Sequence, residues 1–153
     1  MQARRNGKYL SAISLLLAVA AGSGCSNTGA SDPALTPLKV VDSGSHCATP
    51  PERAGAVVVA TDEADGFRVR LGMGQRSTGG YAVRIADESP EGIDDGIAIV
   101  RVEWRVPGPE DAVTQALTRP CVEVDVPAEY RGVRFIDGDD VVRGEAVRAA
   151  DGD

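Results

Sequence analysis

The chain has 153 residues, with 16 basic against 23 acidic side chains and a net charge of −7. An acidic surface with no basic cluster and no aromatic stripe repels phosphate backbones, so nucleic acid is excluded as a partner. One histidine and three cysteines, two of them free to pair, cannot supply the four ligands of a zinc site, and no other metal or cofactor is expected.

Arg4, Arg5 and Lys8 open the chain with positive charge, and Tyr9 to Ala21 is almost wholly apolar. A run of this length falls short of the ~20 residues that span a bilayer, so it reads as an export signal. Small residues Gly22-Ser23-Gly24 then precede Cys25, whose thiol can be alkylated by a diacylglycerol. The reading is a lipoprotein signal peptide over 1–24 and lipid attachment at Cys25. Gly22 departs from the Leu or Val usual at that lipobox position. Ordinary secretion and a retained anchor are the alternatives. Cleavage removes three basic residues and no acid, which leaves the mature chain at about −10. The lipid, not the protein surface, then has to hold it to a membrane. The expected location is the cell envelope, lipid-anchored and facing out of the cytoplasm.

Residues 25–37 are small, polar and proline-punctuated, a flexible tether by composition. The span 38–143 is long enough for one small core. The tail 144–153 reads as flexible, with a short helix as the alternative.

Within 38–143 the apolar period is two. Val57-Val58-Val59 is a continuous apolar run, expected to be a strand covered on both sides. Phe67, Val69 and Leu71 alternate with Arg68 and Arg70, and Tyr81, Val83 and Ile85 with Ala82 and Arg84. Glu88 to Gly96 reads as a solvated acidic hairpin loop. Ala98, Val100, Val102, Trp104 and Val106 fall on one face of a strand, with Arg101, Glu103 and Arg105 on the other. Val122, Val124 and Val126 point inward from the run Cys121 to Pro127, with Glu123 and Asp125 outward. Only Asp111 to Leu117 has the pattern of a helical turn. The predicted fold is all-β: a small single-domain β-sandwich or partly open barrel of antiparallel strands.

Two connections carry the chemistry. Gly72 to Tyr81 packs four glycines between two strands, which points to positive φ or close backbone approach. Pro107 to Pro120 is a long crossing that holds Thr114, Gln115, Ala116, Leu117 and Thr118. Cys47 and Cys121 form a candidate disulfide, with two buried small residues as the alternative. His46 is the only histidine, and its neighbour Cys47 faces the opposite way along a strand, so no catalytic pair is expected. Asp137-Gly138-Asp139-Asp140 lacks the closing glutamate of a calcium loop and reads as a solvated turn.

The stretch Gly74-Gln75-Arg76-Ser77-Thr78-Gly79-Gly80-Tyr81 resembles the G-x-[KR]-[PS]-T-G-G-Y signature of the PrcB C-terminal domain family. The family is named for a subunit of a spirochaete surface protease complex. Pro107-Gly108-Pro109 and the run from Val113-Thr114-Gln115 to Pro120 resemble its second signature. The resemblance covers about 67–127. Cys121 departs from the aromatic usual after the last proline, and an upstream tryptophan segment is missing. The resemblance implies a non-catalytic lipoprotein or secreted module that helps a protease complex assemble. Gly74 through Tyr81, with Thr114, Gln115, Thr118 and Pro120, become the candidate partner-binding surface. The partner would be an extracytoplasmic protease or another envelope protein, with no small-molecule substrate. The Thr-Gly-Gly-Tyr loop is also similar to one loop of chagasin-type protease inhibitors, so inhibition is a second reading. A passive structural lipoprotein, with the glycines serving only as a turn, is the third.

Overall fold

A computed structural model of the chain describes residues 35–45, 47, 53–63 and 66–149. The predicted signal peptide, Cys25, most of the tether, His46 and residues 150–153 lie outside them. Nine strands follow in order: β1 Lys39–Gly44, β2 Ala54–Glu63, β3 Gly66–Met73, β4 Ala82–Ile85, β5 Gly92–Asp94, β6 Ile97–Arg105, β7 Cys121–Pro127, β8 Gly132–Ile136 and β9 Val142–Val147. One sheet has the order β1-β7-β3-β2; the other has the order β4-β6-β8-β9, with β5 also pairing β6. They make a small sandwich that is not closed into a barrel.

Strict alternation explains the core. Phe67, Val69 and Leu71 of β3 and Val122, Val124 and Val126 of β7 face Ala98, Val100 and Val102 of β6 and Val133 and Phe135 of β8, each at most 2% exposed. Every such valine or phenylalanine contributes about 1.5–3 kcal/mol by leaving water.

Several expectations need correction. The strands are not all antiparallel: β6 and β8 run parallel, from Ile97↔Gly132 to Arg101↔Ile136. The intervening β7 belongs to the other sheet, so the chain crosses over and returns beside β6 in the same direction. The Val57–Val59 run is not covered on both sides. β2 is an edge strand, and Val57 and Val59 are 43% and 37% exposed, while Val58 packs on the core. Val106 is also exposed, because β6 ends at Arg105, before Pro107. The acidic stretch Glu88–Gly96 contains β5, closed onto β6 by a two-residue Asp95-Gly96 turn with φ of 48° and 75°. Asp111 to Leu117 forms no helical turn, and its Thr114 carbonyl accepts instead from Gly79 in another loop.

Both domain boundaries move. Thr36 belongs to the fold, because the buried Tyr130 hydroxyl donates to its carbonyl at 2.9 Å. At the other end, the tail does not begin at Gly144, since β9 pairs with β8 up to Val147. Gly144 lies so close to β2 that a Cβ there would sit 2.7 Å from the Ala56 nitrogen. β9 is hard to read because only the small Ala146 points inward along it.

The outward charges are cross-strand pairs. Arg68 and Arg70 of β3 sit opposite Asp125 and Glu123 of β7 in register, with Arg68 Nε donating to Asp125 at 2.6 Å and Arg70 Nε to Glu123 at 3.0 Å. On the other sheet Arg101 is paired with Glu91 and Asp140, and Arg134 with Asp94 and Glu145.

The turn at Asp137 is not simply solvated. Asp137 is buried, and its Oδ1 accepts the Asp139 and Val141 amides at 3.0 Å each, while Oδ2 pairs with Arg143. Burial pushes its carboxyl up, but the backbone amides and Arg143 outweigh burial and hold it below the usual aspartate range. Its stabilisation is therefore present above the unfolded pKa of about 4 and is lost as pH falls through the lower folded value. Asp137→Asn is expected to reduce stability at pH 7, and the deficit shrinks as the medium is acidified below about pH 4. Urea midpoints measured across that range check this, and parallel curves for the two proteins would contradict it.

Candidate functional site

The Gly74–Tyr81 segment is an arch that carries the chain from β3 in one sheet to β4 in the other. The Pro107–Pro120 crossing makes the reverse passage, from β6 to β7. The structure lays the two against each other. Arg76 and Thr118 exchange backbone bonds of 2.8 and 2.9 Å, and the Gly79 amide donates to the Thr114 carbonyl at 2.9 Å. The Thr118 hydroxyl donates to the Thr78 carbonyl at 2.9 Å. Arg119 reaches the Gln75 side chain at 3.0 Å, and the Met73 amide donates to the Pro120 carbonyl at 2.9 Å.

This closeness is the physical reason for the two central glycines. A Cβ on Gly79 would lie 2.5 Å from Thr114 Oγ1. One on Gly80 would lie 2.8 Å from Val113 Cγ1 and 3.1 Å from Pro107 Cβ, and Gly80 also needs a φ of +88°. Tyr81 folds its ring partly onto the core, with the Arg76 guanidinium 5.1 Å from its centroid. The arch is therefore braced along its length by the crossing.

The disulfide supports this assembly from below. Cys47 and Cys121 are bridged, with Cα atoms 6.0 Å apart, and the Cys47 amide donates to Cys121 Sγ at 2.9 Å. Next to it, the Arg119 amide donates to the Ser45 carbonyl at 2.8 Å. The bridge and this bond hold the start of β7 against the segment that leaves β1.

Exposure sorts the candidate residues. Gln75, Ser77, Gly80, Thr114 and Gln115 face solvent, whereas Arg76, Thr78, Gly79, Tyr81 and Thr118 are half-buried. Gly74 and Pro120 are buried and serve the backbone path. Leu117 was not among the residues expected to make contact, yet it is 65% exposed on the crossing. An apolar residue within a proline-bounded polar loop was the available signal. Among the described residues no cluster of histidine, cysteine, aspartate and glutamate is arranged to hold a metal ion.

Residues 69–127 match the PrcB C-terminal family model, the family to which the two motifs point. The match runs from within β3 to the end of β7 and so contains the arch and the crossing in full. No curated protein and no solved structure gives a significant match.

Proposed function

We propose, from the PrcB C-terminal match over residues 69–127, that this chain is an envelope lipoprotein with a non-catalytic β domain. Lipid on Cys25 anchors it outside the cytoplasm, and the domain binds or helps assemble a protein partner such as a protease complex. The observation that carries this reading is the union of the two family signatures into one braced surface. The arch and the crossing share reciprocal backbone bonds and present Gln75, Ser77, Gln115 and Leu117 to solvent. A surface fixed before contact loses little entropy on binding, which suits a docking role. Leu117, 65% exposed, adds an apolar side chain to this surface for a partner to cover.

Crosslinking in intact cells, followed by purification from detergent-solubilised membranes, tests the reading. The wild-type chain is expected to recover a protease or one large partner. Leu117→Glu, which alters an exposed side chain and leaves the fold alone, is expected to lose it. Recovery of only abundant porins and lipoproteins, equally by both proteins, contradicts the proposal and favours a passive envelope protein. Cys25→Ala is expected to shift the chain from the membrane fraction to the soluble one, and no shift would remove the anchor.

A further inference from the structure

Strands β1 and β4 end their respective sheets, and each pairs on one side only, β1 with β7 and β4 with β6. They approach each other along one side of the sandwich. At one end the seam is closed, where the Leu38 amide donates to the Glu88 carbonyl at 2.8 Å. Toward the other end it opens into a cleft of about 300 Å³, lined by Ser43–Ser45, Gly80–Arg84 and Arg105. Among the described residues no backbone hydrogen bond reaches the outer edge of β4.

Charge distinguishes this cleft from the rest of the molecule. The chain is acidic overall, yet the cleft lining holds two arginines and no carboxylate. Arg84 is exposed and has no ion pair among the described residues, in contrast to Arg68, Arg70, Arg101, Arg134 and Arg143. Arg105 reaches only Asp111, at 3.8 Å. Glu103 stands opposite Arg84 in register on β6 and makes no ion pair with it, so the Arg84 guanidinium stays uncommitted.

We propose that this seam receives an extended peptide segment of a partner protein, added as a strand to the free edge of β4. Carboxylate side chains of the segment meet Arg84 and Arg105. Main-chain bonds to β4 supply affinity without regard to side chains, and the arginines choose acidic segments over basic ones. The seam begins at Gly80 and Tyr81, so it continues from the arch already assigned to partner contact. The inference rests on the reading of this domain as a protein-binding module, and it names the chemistry of the bound segment.

Hydrogen exchange on the full chain in detergent tests it. The probe is a capped eight-residue peptide of alternating valine and glutamate, compared with its lysine counterpart at millimolar concentration. The glutamate peptide is expected to slow exchange of the outward Val83 and Ile85 amides about tenfold or more, and the lysine peptide is not. Arg84→Glu combined with Arg105→Glu, both exposed positions, is expected to weaken the glutamate peptide about tenfold or more at unchanged melting temperature. Equal protection by both peptides, or none by either, overturns the proposal. Protection that depends on protein concentration rather than on peptide also overturns it, by assigning the edge to a second copy of the chain. Protection of β4 combined with empty pulldowns would remove the protease-complex reading and leave the seam standing. A partner lost with Leu117→Glu while β4 stays unprotected would do the reverse.

Discussion

Opening the Cys47–Cys121 disulfide is expected to lower the unfolding free energy by about 4 kcal/mol, the loop-closure value for a cross-link of this span. The bridge joins residues 74 apart in sequence, so it removes a large share of the unfolded chain's freedom. For a domain of this size the loss corresponds to a fall in melting temperature of about 15 °C. Cys121 is fully buried, and Cys121→Ser would also place a hydroxyl in an apolar site. The cleaner comparison is therefore reductant against no reductant on the wild-type chain, with the Cys47→Ala, Cys121→Ala double variant beside it. Urea unfolding reads the difference, and coincident midpoints would show that the bridge stabilises nothing. A local consequence accompanies the global one. Arg119 and Pro120 sit beside the bridge and hold the crossing to Ser45 and Met73, so amide exchange in the arch is expected to quicken on reduction.

The second large effect concerns Arg70 and Glu123. Their side chains are only 7% and 11% exposed, and they lie face to face on β3 and β7. Removing one partner of such a pair leaves a charge that is neither hydrated nor neutralised, at a cost of about 3–5 kcal/mol. Arg70→Met is placed at about 3 kcal/mol, the low end, because Arg68 Nε already stands 3.7 Å from the Glu123 carboxylate and takes up part of the charge. The double variant Arg70→Met, Glu123→Leu is expected to recover a large part of that loss, since neither charge of the facing pair is left without the other. Chemical denaturation of the two single variants and the double separates the pair's coupling from the cost of desolvation. Additive losses would show that the residues act independently and would sink the argument.

The outer faces of both sheets share this design. Arginines on β3, β6 and β8 are tied to carboxylates on neighbouring strands and turns. Arg84 makes no such pair, and it lies on β4, an edge strand that pairs on one side only. The arch, the crossing and the open seam together form a continuous side of the molecule, and proline, glycine and the disulfide set its shape.

Much of this was legible in the residues alone. Alternation of period two identified β3, β6 and β7 and the faces they bury, because a strand's side-chain geometry repeats within the local sequence. The glycine arch and the proline-bounded crossing were equally plain, since positive φ and proline's fixed backbone act locally. Other features depended on which strands became neighbours. Nothing within Val57–Val59 says that β2 is an edge, and nothing within β9 says that Gly144 meets Ala56. The parallel pairing of β6 with β8, the cross-strand arginine pairs and the joining of Arg76 to Thr118 likewise arise from residues far apart in the chain. Sequence by itself determined the local backbone preferences, the apolar faces and the family motifs of this protein. Tertiary structure alone decided which of those faces were covered, which charges were neutralised and which edge stayed open, because each is a contact between segments that carry no mark of one another.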